Sequence, residues 1–277
     1  MEVSFEKVLR KLSRNPGAMV GLFVLILMIL VAVFAPSVAT HDPNTVDVLN
    51  KLARPSAEHY FGTDTLGRDL FSRLVHGARI SLAVGLIAVT IGLAGGALLG
   101  TLAGYYPRLD SIIMRLMDVQ MAFPDILLAI AIIAALGPNL VNAIIAIGIQ
   151  GIPVFARITR ACVLSVREEL YIEAARAVGA GNSRILARHV LPNILATLLV
   201  YCTLRLGTTI LAAAILSFLG LGAQPPTPEW GAIVSDARHV LDLAPHAAFF
   251  PIGAIFLTVL SLNLLGDGLR DALDPRL

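Results

Sequence analysis

The chain has 277 residues, 57% of them hydrophobic and only 14% charged. A soluble domain carries roughly 25% charged residues, so this composition excludes an ordinary water-soluble enzyme and points to a chain embedded in lipid. A net charge of +2 says little about partners, and two cysteines without CxxC spacing exclude a disulfide framework.

The first apolar segment is residues 18–35, behind Lys7, Arg10, Lys11 and Arg14. A span needs about 20 apolar residues, whereas the core of a cleaved signal runs about 7–15. A retained span is therefore predicted, with 1–17 as a cytoplasmic segment. Residues 36–79 form an external loop. Within it, 65–80 place Leu66, Leu70, Leu74 and Val75 on one helical face, and Arg68, Asp69, Arg73 and Arg79 largely off it. This segment is expected at the outer surface, docking a partner or packing on the rim.

Residues 80–106 make the second span. Gly92, Gly96, Gly100 and Gly104 line one face of it, which lets a second helix approach closely. No charge lies between Asp125 and Arg157, a stretch too long for one crossing. It breaks at Gly137-Pro138-Asn139, which predicts spans at 117–136 and 140–160. Residues 193–219 and 247–266 complete six. With both termini inside, most basic residues fall on inner segments, in agreement with the positive-inside rule. The expected fold is all-α and polytopic, with six transmembrane helices; residues 80–277 form a five-span core.

Residues 161–192, between the fourth and fifth spans, are the longest inner loop. Leu170, Ala174, Ala177 and Val178 share one helical face. Gly179 and Gly181 can end this helix through positive φ. Asn182 or Ser183 can cap a second helix, and Pro192 kinks the start of the fifth span. The product is a short helix on a glycine joint. It is either a lever for a partner or an amphipathic helix resting on headgroups.

The residues Glu173-Ala174-Ala175, then Gly179, then Leu191-Pro192 resemble the EAA signature of bacterial ABC-importer permeases. His189 stands where that signature has Ile. The stretches at 61–82, 217–231 and 262–277 are similar to permeases for dipeptides, oligopeptides, glutathione and nickel, specifically the second, six-span subunit of the pair. The resemblance implies a lipid-embedded subunit of an ATP-driven importer in a bacterial inner membrane. It implies a second homologous permease, two ATPase subunits that carry ATP and Mg, and a periplasmic or lipid-anchored solute-binding protein. Dipeptides, oligopeptides or glutathione are the implied cargo, with nickel as the alternative. Residues around Glu173 would form the coupling helix; Glu173 would cap or orient it or touch the ATPase, and Gly179 would be its joint.

Arg205 is the one clear charge inside a predicted span, so it is a functional candidate by default. It would contact substrate in the pathway or pair between helices. Trp230, after the proline-rich 224–229, is expected in an outer cap at the membrane interface. Asp267, Asp271 and Asp274 are expected in a solvated C-terminal turn; Asp267 has no second intramembrane aspartate, which argues against a hydrolase. The histidines show no HxxxH spacing, so no metal site is expected. There is no P-loop, so ATP hydrolysis is not expected on this chain, and no basic-aromatic surface for nucleic acid. A stand-alone channel or sensor with a regulatory inner helix is the rival from another class.

Overall fold

The computed structural model describes residues 10–273; Lys7, Asp274 and Arg276 lie outside them. Helix α1, Pro16–Val33, starts where Asn15 accepts a hydrogen bond from Ala18 N at 3.1 Å and proline takes the first helical position. A helical turn, Ala35–Val38, and a long irregular segment follow.

Helix α2 runs unbroken from Leu70 to Tyr105, 36 residues and therefore about 54 Å. Asp69 caps it, accepting from Ser72 N at 2.8 Å. Of the amphipathic segment at 65–80, residues 70–80 are the first turns of α2 and 65–69 lead into it. Its faces also differ from the expectation. Leu70 and Val75 are buried, but so are Arg68, Asp69 and Arg73, while Leu66 is exposed. A hydrocarbon core of about 30 Å leaves room for those charged turns beyond the lipid.

Helices α3, Pro107–Met121, and α4, Asp125–Leu136, meet at 91°. The single span expected at 117–136 is thus a bent pair. Pro124 explains the break, since it has no N–H to continue α3 and turns the preceding residue away from helix. Among the described residues, five helices are long and apolar enough to cross a membrane, or six with the bent pair counted as one crossing. Helix α5, Leu140–Arg167, follows Gly137, whose φ is +93°, and is capped by Asn139 through Asn142 N at 2.9 Å.

Helix α6 is Leu170–Ala177. Helix α7, Asn182–Phe218, contains one π turn at Leu186–Val190. Helix α8 is Trp230–Ala237 and α9 is His246–Leu273. Asp267 and Asp271 therefore sit on the last turns of α9, not in a loop, and Asp267 is exposed.

The α2–α5 pair is the spine of the core. A methyl added at Gly96 would stand 2.7 Å from the Ile152 carbonyl oxygen; at Gly100 it would stand 2.6 Å from Thr159 Cβ. Only glycine admits that approach. The glycine face read from the sequence is the contact face, and α5 is its partner. Helix α1 lies at the flank: 17% of its apolar window is buried, against 33–44% for the other long helices. It meets α9 where Gly268 faces Ala18 and Gly21 faces Ser261.

Candidate functional site

The elbow between α5 and α7 is built from local rules. Glu169 is the N-cap residue of α6, and its side chain makes no capping bond. At the other end Gly179 N donates to Arg176 O at 2.9 Å and Ala180 N to Ala175 O at 3.0 Å. That bond pair with Gly179 at φ +84° is a Schellman termination. Gly181, expected to share the positive φ, has φ −69° and begins α7 instead. Asn182 is then the first helical residue rather than a cap. Its Oδ1 accepts from the Tyr105 hydroxyl at 2.8 Å, which ties the joint to the end of α2. Pro192 offers no N–H, and the turn before it widens to π geometry. Asn193 Nδ2 bridges this region, donating to His189 O at 2.6 Å and to the Tyr171 hydroxyl at 3.2 Å.

The two faces of α6 differ sharply. Ile172 is fully buried, packed with Val163, Ile185, Val190 and Ile194, and Ala175 lies against the same cluster. Leu170 and Val178 are 80% and 86% exposed. Glu173, Ala174, Ala177, Gly179, Leu191 and Pro192 are exposed as well. The expected apolar face of Leu170, Ala174, Ala177 and Val178 is therefore not the one that anchors the helix. One buried isoleucine and an alanine hold α6 down, and the other apolar face is open. Glu173 does not cap α6. It sits in the first turn, where a carboxylate suits the helix dipole, and makes no side-chain hydrogen bond or ion pair among the described residues.

Behind the elbow are ion pairs that local patterns do not reveal. Arg160 grips Asp110 with two bonds of 2.5 and 2.6 Å, and Arg157 pairs with Asp118. Arg167 reaches the carbonyls of Gly104 and Tyr105 at 3.4 Å, and Arg176 lies 6.0 Å from the Tyr105 ring centre. Partners dozens of residues apart leave no periodic signal. The α3–α5 pairs brace the spans behind the elbow, and the elbow itself is seated on α2, α5 and the start of α7.

The far end of α2 carries a second charged assembly. Arg68 bonds Asp64 at 2.6 Å and Asp236 at 2.9 Å; Arg73 lies 3.5 Å and 3.7 Å from the same carboxylates. Buried Glu229 accepts from Ser81 Oγ at 3.0 Å and from Ala232 N at 3.0 Å, capping α8. Burial pushes its carboxyl above the ordinary carboxylate value, opposed by those bonds. Trp230 is buried rather than interfacial, and its indole N–H donates to Leu74 O at 3.0 Å. Arg205 is half-buried on α7, and its guanidinium makes no hydrogen bond or ion pair among the described residues. Cys162 and Cys202 are unpaired and half-buried.

Residues 92–277, more than half of the chain, match the family described as the binding-protein-dependent transport system inner membrane component. The chain belongs to that family. Residues 5–55 match the N-terminal transmembrane domain of oligopeptide transport permease C. The chain is 51% identical over 274 residues to a dipeptide transport system permease protein, DppC, of Alkalihalophilus pseudofirmus, covering 99% of this chain and 90% of that one. It is 54% identical over 270 residues to the glutathione transport system permease protein GsiD of an Escherichia coli strain, covering 97% and 89%. Among solved structures, the MetNI methionine ABC transporter in an inward-facing form matches with TM-score 0.62 at 21% identity, over 74% of this chain and 98% of that one. That last likeness bears on the fold alone. The protein is a multi-pass ABC-importer permease subunit, of a family that works with ATPase and binding-protein partners.

Proposed function

We propose that this permease moves small peptides, glutathione among them, from an external binding protein into the cytoplasm by alternating access. It would pair with a second homologous permease in a bacterial inner membrane, with both termini and the elbow in the cytoplasm. ATP and Mg belong to two partner ATPases. The observation that carries the reading is the open face of α6: Leu170, Glu173, Ala174 and Val178 face outward while Ile172 anchors the helix. Exposed apolar residues with an unpartnered carboxylate, on a helix seated on three spans, suit a surface that a moving ATPase pushes. Glu173, Ala174, Ala175, Gly179, Leu191 and Pro192 are assigned to this coupling. Arg205 is assigned to the pathway, since a half-buried guanidinium without a protein partner suits a substrate carboxylate.

The test is uptake in a strain lacking the chain, complemented with the wild type, using labelled dipeptide, glutathione and nickel at equal concentration. Restored peptide or glutathione entry supports the reading. Restoration of nickel alone keeps the permease and overturns the cargo. An Arg205→Leu variant that assembles yet transports peptide normally removes Arg205 from the pathway.

A further inference from the structure

The geometry points to a divalent metal site, Zn²⁺ being the best-suited ion, formed by His41, His59 and Asp69 at the N-terminus of α2. These residues come from three separate stretches of chain: just after the turn that follows α1, the middle of the irregular segment, and the cap of α2. Their spacing in sequence follows no metal motif, so no local pattern announces them. In the fold, one ligand atom from each lies within 4.8 Å of the others.

The distances bracket what an ion would require. A tetrahedral Zn²⁺ with bonds of about 2.0–2.1 Å sets its donors about 3.4 Å apart. His59 Nδ1 lies 2.9 Å from Asp69 Oδ1, and His41 Nδ1 lies 3.9 Å from Asp69 Oδ2. The two imidazole rings stand 4.9 Å apart, centre to centre. The widest separation within the trio is bounded by 4.8 Å, so side-chain adjustments of up to about 1.4 Å would bring all three donors to the spacing of one ion.

The surroundings fit a ligand set. Asp69 Oδ2 accepts from Ser72 N at 2.8 Å and is the oxygen nearer His41, while Oδ1 faces His59. His41 N donates to Ser72 Oγ at 2.9 Å, and His59 N to Ser56 Oγ at 3.1 Å, so both backbones are held. Thr40 Oγ1 donates to Asp69 Oδ2 at 3.4 Å, an outer contact of the kind that orients a ligating carboxylate; its 3.0 Å contact with His41 Nδ1 would give way to the ion. His59 and Asp69 are buried, and His41 is exposed, which gives the ion a way in.

Charge supplies an independent argument. The neighbouring arginines, Arg68 and Arg73, are committed to Asp64 and Asp236. Among the described residues, Asp69 has only the two histidines as ion-pair partners, although its side chain is 1% exposed. A buried carboxylate needs a countercharge. Two imidazoles and one carboxylate are the donor set of a borderline divalent ion, with water in the fourth position. Such an ion would clasp the segment between α1 and α2 onto the start of α2.

The test uses the untagged, chelator-treated transporter complex, titrated with Co²⁺ and then Zn²⁺. The expected result is one Co²⁺ per chain with the intense visible absorption of a four-coordinate site, displaced by Zn²⁺. Both His41→Gln and His59→Gln should weaken binding at least about tenfold, while His239→Gln leaves it unchanged. His41 is exposed, so the metal-free His41→Gln complex should melt with the wild type, and Zn²⁺ should raise the melting temperature of the wild type alone. Absence of a Co²⁺ signal above that of the double His41→Gln, His59→Gln variant overturns the site. So does a signal that survives in both single variants.

Discussion

The two ends of α2 handle charge in opposite ways. At the start of the helix, Asp64, Arg68, Arg73 and Asp236 are almost wholly engaged with one another, and Glu229 and Trp230 are sealed beside them. At its end, Tyr105 ties down an elbow whose Leu170 and Val178 are largely exposed and whose Glu173 side chain makes no hydrogen bond or ion pair among the described residues. A network of buried, mutually paired charges resists local motion. An open face on a pinned helix leaves its binding capacity for another protein. The contrast runs within one helix length: paired, buried charges hold the start of α2, and the exposed face beyond its end is the one proposed to meet a partner.

Breaking the sealed end should have the largest effect. Arg68→Ala leaves Asp64 buried without its close partner, and removing one member of a buried pair costs about 3–5 kcal/mol. The variant should fail to assemble, or melt far below the wild type in detergent; a melting curve like the wild type's would mean that the network is not structural. In the middle of α2, Gly96→Val sets a Cβ 2.7 Å from the Ile152 carbonyl oxygen and hard against Phe155 before its two methyl groups are added, and overpacking of this kind costs about 1–3 kcal/mol. The α2–α5 contact should loosen, as read by disulfide trapping between cysteines placed across it. At the joint, Gly179→Ala meets no steric contact, but its φ of +84° costs about 1–2 kcal/mol for a residue with Cβ. That change should fray α6 in hydrogen exchange while the spans keep their protection.

The smallest effect is on pH. The folded value of the Glu229 carboxyl lies above its unfolded one, so the folded state holds the proton more tightly. This contribution to stability is full below the ordinary carboxylate value and declines as pH rises toward the raised folded value. Trp230, the only tryptophan, is adjacent, so its fluorescence in the isolated chain should report a slightly looser α8 as pH rises through that window. In Glu229→Gln the dependence should vanish; its persistence would assign it to another group.

Much of the membrane architecture was legible in the sequence because hydropathy and glycine spacing act over one or two turns. The face built from Gly92 to Gly104 and the turn at Gly137 are examples. Pro124 stood in the sequence too, yet the expected span at 117–136 ran straight through it and missed the 91° bend between α3 and α4. The burial of Arg68 and Arg73 escaped because their partners are set by the tertiary fold; Asp236 arrives from α8. The EAA-like residues marked the elbow, but periodicity selected the wrong face as the anchor. With only eight residues in α6, a single buried isoleucine outweighs four apolar positions on the other side.

The central claim is that the open face of α6 transmits ATPase motion. The most direct measurement is peptide uptake and ATP hydrolysis together, in reconstituted transporter carrying Glu173→Lys. Glu173 is exposed and unpartnered, so the change should leave stability within about 0.5 kcal/mol of the wild type. The account predicts normal insertion and assembly with uptake lost, and with hydrolysis no longer stimulated by the loaded binding protein. Uptake and stimulated hydrolysis at wild-type levels, in a well-expressed variant, would contradict it.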